Sequence, residues 1–288
     1  MSRAVTGRHG SAARETPAAQ GLAEDLRALG RIVELGQSLG LGTELDEPQE
    51  ILTRAGARTS LAPGRTVIAL AGATGSGKSS LLNALAGAPI ARTAVTRPTT
   101  TRPLALLPGG QAGGAPDGEA AALLDWLGVD ERVVASGGGV PTDAIILDLP
   151  DVDSDAPEHR LIAERMAAQV DALVWVLDPE KYADAVVHKD FIVPMAAHAE
   201  VTLVVLNQAD RLDAASREQV LADLRRLLAR EGVGGADPLL ASARTGEGID
   251  ALRGALERIA QARTASALRL RADARRAASR LRERVGGG

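Results

Sequence analysis

The sequence contains no cysteine, and its aromatic residues are limited to two tryptophans, one tyrosine and one phenylalanine among 288 residues. The lack of cysteine excludes a disulfide framework and a thiolate metal site. Because aromatic side chains are so scarce, a folded core must be built from alanine, valine, leucine and isoleucine. Hydrophobic residues make up 45% of the chain, which is enough for a globular protein with such a core.

Long apolar runs and an excess of positive charge are also missing. No run approaches the roughly 20 residues that span a membrane. Residues 1–20 are polar and alanine-rich, without the apolar core of a signal peptide. The net charge of −4 argues against a general nucleic-acid coat. We therefore expect a cytoplasmic protein without a specific nucleic-acid partner.

The most informative stretch is RTVIALAGATGSGKSSLL, residues 65–82. The short apolar run at 66–71 is typical of a buried strand. The glycine-rich segment GATGSGKS follows at 72–79, and residues 80–85 have a helical composition. A strand, this loop motif and a helix in that order indicate a phosphate-binding loop.

Each part of this motif has a chemical role. The glycines allow successive backbone N–H groups to face a phosphate, and the helix presents its positive N-terminus to the same group. Lys78 would reach the β- and γ-phosphates, and the Ser79 hydroxyl would bind Mg²⁺. Only three lysines occur beside thirty arginines, which favours this interpretation over a glycine-rich turn that binds nothing. The residues predicted to contact the phosphates are Gly72, Thr74, Gly75, Ser76, Gly77, Lys78, Ser79 and Ser80.

The remaining pattern predicts an α/β fold with a mostly parallel, doubly wound sheet, because apolar strands alternate with amphipathic helices. The predicted strands are residues 66–71, 104–107, 132–135, 144–147, 173–177, 201–206 and 238–241. We expect a disordered tail at 1–16, N-terminal helices at 17–62, a nucleotide domain at 63–260 and a separate basic helix at 261–288.

Polar residues follow three of the predicted strands, at the sheet edge where doubly wound folds bind their ligands. Asp148 ends one strand and is expected to contact Mg²⁺ through water. The segment Asn-Gln-Ala-Asp follows another strand at 207–210, and Ser-Ala-Arg follows the last at 242–244. Taken alone, the segment Asn-Gln-Ala-Asp is equally typical of a strand that ends in a polar turn.

In this order, the motifs resemble those of GTPases, and most of all the bacterial Era-like and dynamin-like members of the translation-factor-related class. The resemblance covers residues 65–260 and implies Mg²⁺ as cofactor, with GTP and GDP as substrate and product. It also implies that Asp210 accepts hydrogen bonds from the guanine ring N–H and amino group. Asn207 would bridge the base and the phosphate loop. The base-binding residues would be Asn207, Asp210, Ser242, Ala243 and Arg244.

The threonine that closes over Mg²⁺ and the γ-phosphate in such GTPases is expected within VTRPTTTRP, residues 95–103. The spacing of dynamin-like relatives, counted back from the end of this segment, selects Thr100. Thr96, Thr99 and Thr101 remain open alternatives.

The predicted metal ligands are therefore Ser79, Thr100 and, through water, Asp148. Arg97 lies three residues before Thr100 and is a candidate catalytic arginine, although a solvated loop arginine is the favoured interpretation. The predicted catalytic residues are Lys78, Thr100, Asp148 and Arg97.

Three positions depart from the pattern of these GTPases. Asp151 stands where the third motif has a glycine, so a carboxylate would lie near the γ-phosphate. Val152 stands where Ras-like enzymes have the glutamine that orients water. Gln208 replaces the lysine that lies along the guanine plane. Together the departures predict slow intrinsic hydrolysis and moderate affinity, but not a loss of nucleotide binding.

The flanking helices carry apolar stripes that a nucleotide domain alone does not bury. We expect the helix at 21–39 to pack on the basic helix at 263–285, with the arginines facing outward. The basic helix has three interpretations: a solvated face, a contact with an acidic membrane surface at the inner face of the membrane, or part of a helical bundle.

The sequence leaves three function classes open. The main hypothesis is a GTP-hydrolysing switch, which could dimerise across its nucleotide face. A nucleotide-binding module with negligible hydrolysis and a fragment of a membrane-acting mechanoenzyme are the alternatives. The segment Lys-Tyr-Ala-Asp at 181–184 receives no chemical role, and the four histidines show no ligand spacing.

Overall fold

The computed structural model describes residues 17–62, 64–91, 102–109, 118–135, 139–153, 157–167, 169–193, 202–233 and 237–286. These form two compact units. An α/β unit covers residues 65–265, and a helical unit combines the chain before residue 65 with the chain after residue 265. The two predicted switch candidates, Arg97 and Thr100, lie outside the described residues, as do the alternative threonines and the N-terminal tail.

The described part of the α/β unit contains a seven-stranded sheet in the order β3-β2-β4-β1-β5-β6-β7. Neighbouring strands are parallel except for β2 and β4, which are antiparallel. The predicted α/β fold with a mostly parallel sheet is therefore confirmed. The strands are β1 (Thr66–Ala71), β2 (Leu104–Leu107), β3 (Glu131–Val134), β4 (Ala144–Asp148), β5 (Ala172–Leu177), β6 (Thr202–Leu206) and β7 (Leu239–Leu240).

Helices connect and flank these strands. They are α1 (Pro17–Ser38), α2 (Asp46–Leu61), α3 (Lys78–Ala86), α4 (Gly118–Leu127), α5 (Pro157–Ala167), α6 (Ala185–Val187), α7 (Ala214–Arg230) and α8 (Ile249–Gly286). Among the described residues, no helix combines the length and the apolar character that crossing a bilayer requires.

The core of the α/β unit is mainly aliphatic, as the shortage of aromatic residues requires, although Trp175 of β5 is also buried. All six residues of β1 are buried, and Ile68 and Leu70 share a core cluster with Leu81 and Leu85 of α3 and Leu252 of α8. Each buried leucine contributes about 2 kcal/mol. This packing holds the start of α3 directly behind the end of β1.

Sheet register brings the polar strand ends together. In the β1–β4 pair Leu70 lies opposite Asp148, so this carboxylate stands beside the residues that follow β1. In the β6–β7 pair Leu206 lies opposite Leu240, which sets the residue after each strand at the same edge. Because parallel strands end on one side of a sheet, the motifs predicted from sequence converge there.

The helical unit is held together by a second apolar cluster. Leu22, Leu26 and Leu29 of α1 pack with residues of α2 and with Ala267 and Ala274 of α8. The predicted packing of the N-terminal helix on the basic helix is thus confirmed. The expected outward orientation fails for Arg271, which is only 19% exposed in its ion pair with Asp25 at 2.9 Å. It also fails for Arg263, which is 21% exposed in its ion pair with Asp171 at 2.9 Å.

The prediction of two separate C-terminal helices is wrong, since α8 is one continuous helix of 38 residues. The predicted boundary fell on the segment Ala-Gln-Ala at 260–262. Alanine and glutamine are strong helix formers, and no glycine or proline interrupts the segment, so no local signal ends the helix.

Candidate nucleotide site

The phosphate loop lies between β1 and α3, and two of its glycines are required by close contacts. A Cβ atom at Gly72 would lie 2.3 Å from the carbonyl oxygen of Val176. Gly77 has a φ of 90°, and a Cβ there would lie 2.4 Å from Nδ2 of Asn207. Only glycine fits both places, so the loop is packed against β5 and against the segment that follows β6.

Lys78 is the first residue of α3 and is 4% exposed. Its Nζ donates hydrogen bonds to the carbonyl oxygens of Gly72, at 2.8 Å, and Ala73, at 3.2 Å. The third partner is Oδ1 of Asp151, at 2.5 Å. An ammonium group has three donors, and these contacts use all of them.

The predicted metal-binding pair is also brought together. The Ser79 hydroxyl donates to Oδ2 of Asp148 at 2.6 Å. Burial raises the pKa of Asp148 to about 6, against the opposing attraction of Lys78 and the hydrogen bond from Ser79.

The other carboxylate oxygen of Asp148, Oδ1, is buried and has no hydrogen-bond partner. An unpartnered buried carboxylate oxygen is costly, and a divalent cation or a water bound to it would remove that cost. Hydroxyl and carboxylate oxygens are the ligands that Mg²⁺ prefers. The donor set of Ser79 and Asp148 therefore fits Mg²⁺.

Other residues of the phosphate loop differ in their surroundings. The hydroxyl oxygen of Ser76 is buried and has no hydrogen-bond partner. Thr74 is engaged by the protein, since its N–H and its hydroxyl both donate to Oδ1 of Asp153, at 2.6 and 2.7 Å. Partial burial acts to raise the pKa of Asp153, but the two hydrogen bonds from Thr74 and the charges of Lys181 and Lys78 outweigh it and hold this pKa below its usual range.

Asn207 joins the phosphate loop to the segment after β7. Its Nδ2 donates to the carbonyl oxygen of Ser76 at 3.0 Å, and its Oδ1 accepts from the N–H of Ala243 at 3.1 Å. The residue is 1% exposed. Both halves of the amide are therefore used to fix the two segments against each other.

Asp210 is held by the two side chains that flank Ala243. Oδ1 accepts from the Ser242 hydroxyl at 2.5 Å, and Oδ2 pairs with the Arg244 guanidinium at 2.5 Å. The Ser242 hydrogen bond, followed by Arg244, holds the pKa of Asp210 below its usual range. The carboxylate is therefore ionised and acts only as an acceptor, as binding of a donor pair requires.

These side chains border a cleft of about 390 Å³, a size that suits a small-molecule ligand. It is lined by Gly77, Ser80, Asn207, Gln208, Asp210, Arg211, Ala243 and Arg244. Arg211 was not predicted, and no sequence signal distinguishes it from the other arginines. Its NH1 donates to Oε1 of Gln208 at 2.7 Å.

Gln208 connects the two ends of the site. Its Nε2 donates to the carbonyl oxygen of Gly75 at 2.8 Å, and its own backbone is left-handed, with a φ of 58°. A left-handed glutamine carries strain of order 1 kcal/mol or more. This departure from the GTPase pattern thus gives a contact with the phosphate loop in place of a charged side chain.

The segment at 181–184, which had no predicted role, contacts the phosphate loop. Nζ of Lys181 donates to the carbonyl oxygen of Thr74 at 3.3 Å and lies 3.8 Å from Oδ2 of Asp153. The next residue, Tyr182, donates its hydroxyl to Asp223 of α7 at 2.9 Å. The loop after β5 therefore links the phosphate loop to α7.

His188 is buried and stabilises the loop that follows β5. Its Nδ1 lies 2.6 Å from Oε2 of Glu231, and its Nε2 lies 2.7 Å from the carbonyl oxygen of Tyr182. This histidine has a structural role, in keeping with the absence of ligand spacing. No group of acidic residues and histidines suited to holding a metal by itself occurs in the described residues.

The residues predicted from sequence thus fall at two ends of one site. The phosphate end contains Lys78, Ser79 and Asp148, and the base end contains Asn207, Asp210, Ser242, Ala243 and Arg244. Sequence reasoning missed Asp153, Lys181 and Arg211, whose contacts depend on the fold.

Known proteins resemble this chain in fold. The chain aligns with an oligomerised bacterial dynamin pair, described as sensing and tethering membranes, at 16% identity over 96% of this chain and 57% of that one, with a TM-score of 0.51. A second structure of that pair gives 16% identity over 92% of this chain and 48% of that one, again with a TM-score of 0.51. At such identities the likeness shows the fold alone.

Toc33 from Arabidopsis thaliana, in complex with GDP and Mg²⁺, aligns at 16% identity over 76% of this chain and 92% of that one, with a TM-score of 0.47. No curated protein has a sequence that matches this chain. Residues 67–215, more than half of the chain, match the family described as 50S ribosome-binding GTPase. The chain therefore belongs to the 50S ribosome-binding GTPase family, and it contains a GTP-binding P-loop GTPase domain.

Proposed function

We propose that this protein binds GTP with Mg²⁺, hydrolyses it slowly to GDP and phosphate, and works as a nucleotide-dependent switch. The observation that supports this proposal is the amide of Asn207, which ties the carbonyl oxygen of Ser76 to the N–H of Ala243. Only a ligand that has both phosphates and a base would use the two segments that this side chain joins.

Base selection is assigned to Asp210. Its carboxylate accepts hydrogen bonds only, and guanine offers a ring N–H and an amino group side by side. Adenine lacks this donor pair, so ATP would offer the ionised Asp210 carboxylate no hydrogen bonds to accept. A site built around such a hydrogen-bond pair rejects the wrong ligand strongly.

Hydrolysis is assigned to positioning and charge neutralisation. The oxygen of a water forms a bond to the γ-phosphorus while the bond from phosphorus to the β–γ bridging oxygen breaks, and the charge gathers on GDP. Lys78 would neutralise part of that charge. Mg²⁺, held by Ser79, Thr100 and Asp148, would supply further neutralisation when bound. Val152 is apolar and buried and offers the water no hydrogen bond from its side chain, so slow hydrolysis without a partner is expected.

The test compares nucleotide binding and turnover in the full chain. Isothermal titration with GTP, GDP and ATP in the presence of Mg²⁺ should show binding of the guanine nucleotides only. Single-turnover hydrolysis should be slow and should stop in EDTA. Equal affinity for ATP and GTP would contradict the assignment of the base end.

A nucleotide-binding module with negligible hydrolysis is the second candidate, and the Asp151–Lys78 ion pair favours it. A carboxylate on the catalytic lysine competes with the charge that develops during hydrolysis. The same single-turnover experiment separates the two candidates: tight GTP binding without phosphate release over hours would support the module.

The membrane-associated part of the proposal concerns the helical unit. Arg275, Arg276 and Arg280 of α8 are each at least 60% exposed, even though each pairs with an acid. Exposed arginines on one helix can contact anionic lipid. Co-sedimentation with vesicles of anionic and of neutral lipid tests this proposal, and turnover at rising protein concentration tests whether two copies pair across the nucleotide face.

A further inference from the structure

We propose that Asp151 sets the preference between GDP and GTP, because its carboxylate takes the place of a terminal phosphate on Lys78. This inference rests on the proposed guanine-nucleotide function and identifies a specificity-determining residue for it. In this assignment the carboxylate stays on the lysine when GDP is bound and must leave when GTP binds.

The first step of the argument is the number of donors on Lys78. Its ammonium group has three N–H donors, and they contact the carbonyl oxygens of Gly72 and Ala73 and the carboxylate of Asp151. No donor is left for a phosphate oxygen. Nucleotide can therefore engage this lysine only by displacing one of the three partners.

The second step identifies which partner leaves. The two carbonyl oxygens belong to the loop backbone. This backbone is closely packed, since a Cβ atom at Gly72 would lie only 2.3 Å from the carbonyl oxygen of Val176. Asp151 is a side chain that can rotate away. It is also the one anionic partner of the three, so a phosphate oxygen replaces it without leaving the buried lysine uncompensated.

The third step concerns burial. The side chains of Lys78 and Asp151 are 3% and 12% exposed. A charge pair removed from water is costly to break unless another charge takes over, because the remaining partner stays buried and unpaired. Replacing the carboxylate by a phosphate oxygen on Lys78 therefore has a small net free energy. Small changes at Asp151 then alter the affinity for GTP relative to GDP.

The fourth step assigns the displaced position to the γ-phosphate. The base cleft lies beside Gly77 and Asn207, and the phosphates extend from there along the loop. The N–H of Val152 donates to the carbonyl oxygen of Gly72 at 3.4 Å, so the turn that carries Asp151 lies at the β1 end of the loop, away from the base. The phosphate farthest from the base is the one that only GTP has.

Asp153 provides a matched control in the same turn. It carries the same charge two residues further on, but it binds the N–H and hydroxyl of Thr74 and approaches Lys181. The charge of Lys78 acts on Asp153 only from a distance, and the direct contacts of this carboxylate are with Thr74 and Lys181. A general effect of negative charge on a triphosphate would show in both carboxylates, whereas competition for the lysine would show in Asp151 alone.

The experiment measures dissociation constants for GTP and GDP, with Mg²⁺, by titration of the full chain and of Asp151→Asn, Asp151→Gly, Asp151→Glu and Asp153→Asn. We expect Asp151→Asn and Asp151→Gly to tighten GTP relative to GDP by about tenfold, equal to about 1.4 kcal/mol. Asp151→Glu should stay within about threefold of the parent ratio, since a carboxylate remains. Asp153→Asn should change both affinities in parallel.

A second readout needs no nucleotide. Asp151→Asn leaves the charge of Lys78 buried among neutral partners only, so it should lower the melting temperature of the nucleotide-free protein. Added GTP should raise the melting temperature of this variant more than added GDP does. If Asp151→Gly does not fold, the nearly isosteric Asp151→Asn decides the question.

The inference is overturned if the parent binds guanine nucleotides and the ratio is unchanged in Asp151→Asn, or if Asp153→Asn shifts the ratio equally. In either case the proposed function survives. If the parent protein binds neither GTP nor GDP, the proposed function itself fails, and this inference fails with it.

Discussion

Both ends of the nucleotide site are closed by an internal ion pair, but the two pairs differ in their exposure to water. At the phosphate end Lys78 and Asp151 are 3% and 12% exposed. At the base end Asp210 is 10% exposed, while its partner Arg244 is 77% exposed. Water screens the second pair and not the first.

This difference separates two functions of the site. The buried pair resists opening unless another anion replaces the carboxylate, so it suits control by the number of phosphates. The exposed arginine can turn into water at little cost, so the base end suits rapid exchange of one hydrogen-bond partner for another. Changes at the phosphate end should therefore have the larger effects on affinity.

The largest effect is expected for Lys78→Ala. Loss of the charge-assisted contact to the terminal phosphate should weaken GTP binding by about 100-fold or more. Binding of GDP should weaken less, because Lys78 stays paired with Asp151 when GDP is bound. Lys189→Ala, which removes an exposed lysine, is the control and should bind like the parent. Binding of GTP by Lys78→Ala at parental affinity would show that the phosphate end is misassigned.

The next effect is expected for Asp210→Asn. The new amide offers a donor where guanine also has a donor, so affinity for GDP should fall by about 100-fold, and affinity for xanthosine diphosphate should rise. Competition between the two nucleotides measures the switch. Asp237→Asn removes an exposed carboxylate that pairs with Arg225 and should leave the preference for guanine intact. If Asp210→Asn prefers guanine nucleotides as strongly as the parent protein does, the assignment of base selection to Asp210 is wrong.

Asn207→Ala should affect both ends of the site, because the Asn207 amide joins the phosphate loop to the segment after β7. It leaves the Ser76 carbonyl and the Ala243 N–H without their partner, which costs about 1–3 kcal/mol. Thermal unfolding should show a lower melting temperature even without nucleotide, and affinity for both nucleotides should fall. Asn83 makes a similar but only partly buried bridge to Ile90 and Ala91, so Asn83→Ala should lower stability without changing the preference for guanine over adenine.

The smallest effect is expected for Arg244→Ala. An ion pair with one well-exposed partner is worth about 0–1 kcal/mol, and its removal frees Asp210 for the base. Affinity for GDP should therefore rise by about fivefold or less. Arg225→Ala, which breaks an exposed pair with Asp237, controls for loss of surface charge. A large loss of affinity in Arg244→Ala would show that this arginine binds nucleotide directly.

Much of the fold follows from local patterns. Apolar runs bounded by polar turns located the strands to within one or two residues, because a strand buried on both faces is apolar along its length. The phosphate loop and the polar strand ends could be predicted for the same reason, since each is a short continuous segment. The continuous helix α8 could not be predicted in this way. Its two apolar stripes were assigned to two separate helices, whereas the structure shows one helix whose halves pack in different units.

The sequence by itself determined which residues can meet at the site. The order of strands, the loop at 72–79 and the polar ends at 148, 207–210 and 242–244 follow from periodicity and spacing, and the sheet then carries them to one edge. That Asp151 would lie near a terminal phosphate was also expected from its place in the motif.

Only the tertiary structure decided what the side chains do in the absence of ligand. The contact of Asp151 with Lys78 joins residues 73 positions apart, and that of Lys181 with Thr74 joins residues 107 apart. No local pattern encodes such pairs, because each depends on how the sheet sets separate loops against each other. The physical reason is burial: a charged group held away from water takes whichever opposite charge or dipole the fold brings within reach.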